Sequence, residues 1–396
     1  MTVTFRERYL GVCHFERPGD LLLSGPNLIW VEALREWAKQ GAPEEITNFF
    51  FCQQYFQFDP LPRWLVEIRS GVEWWRGKVY DLGHGIRAGD WGAAPAYPGF
   101  VPEILEENER TVVMIDGGGR KVKRFKHSEK MPMFLEYPVK DRASWKEYKK
   151  RLDPATPGRY PDDWDAYVQQ INEQAKEIPI SLQVGGFFGF LREWMGLEPL
   201  LYMFYDDPAL VEEMMDAMLY LEMEVVKRVV KDIKIDQATY WEDMCYKSGP
   251  MISPDMFRKF MMPRYKKLND LLHSHGVDII WVDSDGNVEQ LIPLWLEVGV
   301  NYVWPLEVAA GNDAVTLRKK YGKDLILGGA IDKRALAKGK EAIREEVMSK
   351  VPFLIESGGY IPSVDHWVPP DVSFENYCFY INTLREIAGL EKLSFQ

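Results

Sequence analysis

Between residues 180 and 366 the chain repeats one pattern: a short apolar run ending in glycine or an acidic residue, then an amphipathic stretch. The runs are ISLQVGGF (180–187), DQATYWED (236–243), VDIIWVD (277–283), VNYVWPLE (300–307), DLILGG (324–329) and YIPSVDH (360–366). Between them, apolar residues at helical spacing predict helices over 207–233, 254–274, 287–297, 312–321 and 338–356. Strand–helix alternation of this kind predicts βα units and a parallel sheet. Six units, with two more strands expected near 21–25 and 47–52, suit a closed α/β barrel of the (β/α)8 TIM type. A doubly wound open sheet is the alternative, but no GxGxxG or GxxxxGK[ST] phosphate loop follows any of the runs.

Outward from this core, NLIWVEALREWAKQ (27–40) has helical periodicity and stops near Gly41, which predicts an N-terminal helical extension. Residues 47–60 and 88–99 are rich in Phe, Tyr, Gly and Pro and suggest packed loops. RTVVMIDGGGRKVKRF (110–125) reads as a strand, a glycine-rich turn and a second strand. It predicts a small antiparallel hairpin inserted over about 99–137. The segment 138–175 is polar and helical, with prolines at 154, 157 and 161 marking turns. The whole chain, 1–396, is expected to form a single barrel domain carrying these additions.

Composition removes several function classes. The 48 Lys and Arg against 60 Asp and Glu leave a net charge of −12 and no basic run, which argues against nucleic acid or an anionic membrane as partner. No stretch approaches the apolar length of a membrane span, and the charged N-terminal residues do not read as a signal peptide. A cytoplasmic location is the expectation. Cys13, Cys52, Cys245 and Cys378 are scattered without a CxxC and are expected to be buried thiols. The 14 tryptophans must be buried or line an apolar site.

Active sites of such barrels lie at the C-terminal ends of the strands. The polar residues that close the runs are Glu242 and Asp243, Asp283 and Asp285, Glu307, Asp332, and Asp365 with His366. In WVDSDGN (281–287), Asp283 and Asp285 are two residues apart, so both side chains can face one side, and Asn287 can cap the next helix. Such a pair can bind a cation or share a proton. Glu242 stands beside Trp241, with Lys247 near enough in sequence to neutralise it; His366 can serve as acid, base or metal ligand. In GGFFGFLREWMG (185–196), Phe187, Phe188 and Trp194 are expected to wall a pocket for a flat ligand, with Arg192 meeting an anionic group. Gly328 and Gly329 would let a ligand approach the backbone, Asp332 suits a helix cap, and His273 and His275 suit the surface.

SPDMFRKFMMPRYKKL, the VDSDGN turn, LGGAIDKRAL and GGYIPSVDHWVPPDVSFENY together resemble the uroporphyrinogen decarboxylase superfamily, most strongly from about 180 to 390. The resemblance implies a (β/α)8 barrel and one of two activities, decarboxylation of a tetrapyrrole or methyl transfer involving a corrinoid protein. Two departures narrow it. The arginine-rich N-terminal motif ending in Gly-Arg that grips propionates in the decarboxylases is missing: Arg6, Arg8 and Arg17 do not stand in that pattern. The His-x-Cys of the thiol-activating methyltransferases is replaced by Asp283 and Asp285, and no later Cys is present near Tyr360. Carboxylates in place of thiolates suit an oxygen leaving group. The resemblance therefore points to a methyltransferase of the O-demethylase type, moving a methyl group from a methoxylated substrate, aromatic or not, to a corrinoid protein. Asp283, Asp285, Glu307, His366 and Glu242 are the expected catalytic residues. Asp283, Asp285, Glu307 and His366 are also the expected ligands if a divalent metal such as zinc is bound. Phe187, Phe188, Arg192, Trp194, Trp241, Lys247 and Asn287 are expected to bind substrate. Expected partners are the small-molecule substrate and the corrinoid protein, and a homodimer is left open. A carboxy-lyase acting on a porphyrinogen or another carboxylate is the alternative.

Overall fold

The structure is a computed structural model that describes residues 3–23, 25, 28–65, 67–68, 80–81, 87–88, 95–126 and 131–395. Seven parallel strands form the central sheet: β1 (Arg63–Trp64), β2 (Ile180–Gln183), β3 (Gln237–Trp241), β4 (Ile279–Asp283), β5 (Tyr302–Trp304), β6 (Ile326–Ile331) and β7 (Tyr360–Val364). They are hydrogen-bonded in that order, with each neighbour next in the chain. The connection from β1 to β2 carries the insertion; β2 to β7 are joined by helical crossovers, which is the connection parallel strands require. The sheet curls strongly. The rings of Trp64 on β1 and Trp281 on β4 lie 5.6 Å apart, whereas three flat strand spacings would separate those strands by about 14 Å.

The six runs read from the sequence are β2 to β7. The two further strands expected near 21–25 and 47–52 are not found among the described residues there. Glu44–Thr47 is a turn of 3-10 helix and Phe49–Tyr55 an α-helix. Leu21–Leu23 is buried but unladdered; it holds Asp59 through the Leu23 carbonyl and N–H, while Trp30 and Leu28 bond Val368 beyond β7. This segment bridges the two outer strands without the regular ladder of an eighth strand. The strand that begins the sheet, β1, is two residues long between Pro62 and Leu65, too short to show any periodicity. The helix expected over 338–356 is two, Lys340–Met348 and Val351–Ser357, because Pro352 cannot donate to a continued helix and restarts one at its first turn.

Alternation along the strands divides the core in two. Outward-facing Ile280, Val282, Val303 and Leu327 pack into the large layer shared with the helices. Inward-facing Ile279, Tyr302, Ile326 and Ile361 meet Tyr9, Val12 and Cys13 of the helix Phe5–Cys13. That helix, started by a Thr4–Glu7 capping box, stoppers the N-terminal end of the sheet. Arg6 pairs with Asp236 at 2.6 Å, Tyr9 bonds Gln237, and the Val12 carbonyl accepts from Gly359 at 3.1 Å. All four cysteines are free and buried, and burial raises their thiol pKa values.

The hairpin of the insertion, Thr111–Ile115 with Lys121–Phe125, forms the centre of a four-stranded antiparallel sheet completed by Glu103–Glu107 and Met133–Glu136. Its turn is organised by Asp116, whose carboxylate accepts from the N–H of Gly118 and Arg120 at 2.9 Å each. Arg120 then reaches Glu193, which fastens the insertion to the helix Gly189–Met195 that follows β2. Among the described residues no helix is long and apolar enough to cross a membrane.

Candidate active site

With one end of the curled sheet stoppered, the inward-facing side chains near the C-terminal ends remain partly exposed. Trp64, Trp281, Trp304, Trp241 and Asp283 each keep some accessible surface, while Ile280, Val282 and Val303, which face outward from the same strands, keep almost none. The sheet therefore opens into a mouth with aromatic walls. Trp281 stands nearly perpendicular to both Trp64 and Trp304, at interplanar angles of 75° and 77°.

Asp283 ends β4 inside this mouth. Its position is matched in register with Trp241 on β3 and Trp304 on β5. No hydrogen bond or ion pair reaches its carboxylate among the described residues. Burial, then the charges of Asp285 and Asp243, push its pKa far above the usual carboxylate range, and Arg192 offsets this in part. Asp285 follows on the next loop. Burial and the charges of Asp243 and Glu307 push it up to about 8. Its Oδ2 lies 3.6 Å from Nε2 of His366. Burial and the Lys333 charge push His366 down to about 4, so its ring, stacked against Trp304, is neutral at physiological pH.

Among the described residues the cations at the mouth, Arg192 and Lys333, are committed. Arg192 bonds the Asp243 carbonyl and pairs with its carboxylate, both at 2.6 Å, and lies over the ring of Trp241. Asp243 itself has a φ of +41, a left-handed conformation uncommon for a residue with a side chain. Its N–H is held by the Asp283 carbonyl at 3.1 Å. Lys333 stands between Glu307 at 3.6 Å and Asp365 at 3.7 Å. Glu307 also accepts the N–H of Gly286 at 2.9 Å, fixing the turn that carries Asp285. Asp365, fully buried, accepts from the N–H of Val308 and Lys333 and so ties three strand ends together.

The structure thus gathers Asp283, Asp285, Glu307, His366, Arg192 and Trp241 at one mouth, with Asp243 and Lys333. It does not bring the other expected residues there. Glu242 is buried away from the mouth, accepting from the N–H of Phe187 (2.8 Å), Phe188 (2.7 Å) and Gly189 (3.0 Å) and from Tyr265. It clamps the loop after β2, since a buried carboxylate needs such partners. Phe187, Phe188 and Trp194 are core rings, not a pocket wall. Phe187 packs on Tyr265, Phe188 on Phe204, and Trp194 on Trp145. Lys247 is exposed at the tip of a two-residue-strand hairpin. Asn287 braces the loop through the Ala310 carbonyl and the Glu289 N–H. Gly328 and Gly329 make room for protein, not ligand: a Cβ at Gly329 would fall 2.0 Å from the Pro305 carbonyl oxygen. Asp332 caps the following helix at the Arg334 N–H.

The metal site expected at Asp283, Asp285, Glu307 and His366 is not assembled. Among the described residues no three His, Cys, Asp or Glu side chains come together closely enough to hold a metal ion. Lys333 occupies the space beside Glu307 that a cation would need. Sequence reasoning missed Lys333, Trp64 and Trp304. The parity of Trp304 with Asp283 across β4 and β5 was available once the strands were registered, but Lys333 sits in an ordinary helical segment and carried no signal.

A curled parallel α/β sheet with a polar mouth at its C-terminal strand ends defines a class of barrel-like enzyme folds. The uroporphyrinogen decarboxylase (URO-D) family model matches residues 112–387, and the chain belongs to that family. It is 26% identical over 140 residues to uroporphyrinogen decarboxylases of Legionella pneumophila strains Paris and Corby. Those matches span 35% of the chain and 39% of the length of each relative. A solved methyltransferase from Methanosarcina mazei superposes with a TM-score of 0.57 at 15% identity, covering 97% of this chain and 99% of that one. At that identity the likeness is one of fold.

Proposed function

We propose that the protein is a methyltransferase of the O-demethylase type, moving a methyl group from a methoxylated substrate to a corrinoid protein. The observation that carries this reading is the placement of Asp283: a carboxyl group without a hydrogen-bond partner among the described residues, set in register between Trp241 and Trp304 at the mouth, where burial and the charges of Asp285 and Asp243 favour its protonated form. A neutral carboxylic acid in such a place is a proton donor. Trp281, Trp304 and Trp64 would pack against the donor and exclude water. A reduced corrinoid on the partner protein would supply the nucleophile that takes the methyl group. As the bond between methyl carbon and oxygen breaks, the oxygen keeps the electron pair, and the Asp283 or Asp285 proton passes to it. The leaving group then departs as a neutral alcohol or phenol. The full-length likeness to a methyltransferase fold supports this reading. No step is routed through a metal ion, because the described side chains do not assemble a site for one.

The carboxy-lyase reading is less well supported. It requires free cations to hold substrate carboxylates, and Arg192 and Lys333 are both engaged by acidic side chains. The test is to mix the protein, a reduced corrinoid protein and methoxylated arenes, and to follow the corrinoid absorbance as it becomes methylated. Methylation dependent on Asp283 is the expected result. Conversion of uroporphyrinogen to coproporphyrinogen without any corrinoid methylation would overturn the proposal.

A further inference from the structure

We infer that Arg120 is a positioning residue for the mouth: from the inserted sheet it sets, through Glu193 and the helix Gly189–Met195, where Arg192 meets Trp241 and Asp243. This rests on the methyl-transfer reading only in taking this mouth as the place where the donor binds. Arg120 is buried and joins two acids. Its guanidinium pairs with Asp116 of its own turn at 2.7 Å and with Glu193 across the boundary of the insertion, and it lies over the ring of Phe134. A planar guanidinium shared by two carboxylates away from water fixes direction as well as distance.

The helix that carries Glu193 is gripped at both ends. At its C-terminal end the Trp194 carbonyl accepts the Val139 N–H at 2.9 Å. Gly196 there lies so close to Tyr137 that a Cβ would fall 2.6 Å from the ring, and Tyr137 stacks on Phe134, the ring under Arg120. At the N-terminal end a Cβ on Gly189 would fall 2.4 Å from the Trp241 carbonyl oxygen. One short helix therefore joins the inserted sheet to the end of β3. Two of its side chains meet Trp241: Phe190 edge-on, with centroids 5.6 Å apart, and the Arg192 guanidinium, 5.2 Å from the ring centroid. Arg192 lies 3.8 Å from Glu193 and holds both the carbonyl and the carboxylate of Asp243 at 2.6 Å. The left-handed backbone of Asp243 is a conformation that persists only when its surroundings hold it. Trp241 is matched in register with Asp283, so a displacement of this helix displaces the wall beside the acid. Close-packed groups transmit such a displacement, because they leave no slack to absorb it.

The test uses the intact protein, labelled with 5-fluorotryptophan and read by fluorine NMR without corrinoid or donor. The Trp241 resonance is identified by its loss in Trp241→Phe, and its position in Arg192→Met defines the ring that is no longer held. Arg120→Gln is expected to move the resonance toward that position. Glu193→Gln, which keeps the side-chain shape and removes the charge, is expected to move it the same way. In an Asp243→Asn background Arg120→Gln should move it less than in the parent, because both changes act through Arg192. A Trp241 resonance unmoved in both Arg120→Gln and Glu193→Gln would overturn the inference; with a lowered melting temperature it would show that Arg120 only holds the insertion together. Displacements that simply add in the double variant would overturn it as well. Should Arg120→Gln fail to fold, Glu193→Gln decides alone. No donor or acceptor of methyl groups is present, so failure here leaves the methyl-transfer assay to be judged separately.

Discussion

The Nε2 of His366 lies 3.6 Å from Oδ2 of Asp285, and the two groups titrate on opposite sides of neutrality, near 4 and near 8. At neutral pH the pair is mainly a neutral imidazole facing a carboxyl whose protonated form is favoured by burial and by Asp243 and Glu307. Methyl-transfer activity is therefore expected to hold at neutral pH and to fall as pH rises through about 8. Asp285→Asn should shift or flatten that alkaline limb, and His366→Gln should leave it in place. A pH–rate profile of each variant checks this, and an alkaline limb unaffected by Asp285→Asn would count against Asp285 as a proton carrier.

The same shifts fix how stability depends on pH. Folding raises the pKa of Asp283 and Asp285, so the folded state holds their protons where the unfolded state has lost them. Their contribution is fully present below about pH 4 and is lost as pH rises through the folded values. His366 is depressed, so its contribution is present above about pH 6.5 and is lost as pH falls toward 4. Melting curves from about pH 4 to 9 should show Asp283→Asn gaining stability relative to the parent as pH increases. A constant difference between the two proteins would show that Asp283 is not held protonated.

Glu242 is predicted to govern stability and not chemistry. Glu242→Ala leaves the N–H groups of Phe187, Phe188 and Gly189 and the Tyr265 hydroxyl without their acceptor. Each buried donor left unsatisfied costs about 1–3 kcal/mol. Denaturant unfolding should show the loss directly. An unchanged midpoint with activity abolished would instead assign Glu242 to the reaction.

Gly329→Ala should be strongly destabilising. The residue has a φ of +84 and its Cβ would lie 2.0 Å from the Pro305 carbonyl oxygen, so the β5 and β6 ends would have to separate. Overpacking of this kind costs about 1–3 kcal/mol or more. A melting temperature equal to the parent's would show that the close approach of these strand ends is not required.

Chelation is expected to leave activity intact. Elemental analysis of the purified protein should find no stoichiometric metal, since no three ligand side chains converge among the described residues. Loss of activity with EDTA, restored by zinc, would show that the mouth closes around a metal in solution.

The repeat of apolar runs between 180 and 366 was sufficient to place β2 to β7 and the strand-end positions of Asp283, Asp285, Glu307 and His366, because alternation and strand polarity are local properties. β1 was hidden because a strand of two residues has no period, and the bridging residues 21–23 and 28–30 because their bonds go to Asp59 and Val368 far along the chain. Phe187, Phe188 and Trp194 were misplaced as a pocket wall for a related reason: aromatic residues in a glycine-rich loop look alike whether they line a cavity or fill a core. Sequence by itself determined the α/β class, the rim that would carry the chemistry and the acidic side chains on it. Only the tertiary structure decided which acids are satisfied and which are not. Glu242 and Asp365 are saturated by backbone N–H groups, and Glu307 is engaged by Gly286 and Lys333. Asp283 is left bare between two tryptophans, because hydrogen-bond partners and charge neighbours come from strands that meet only when the sheet curls.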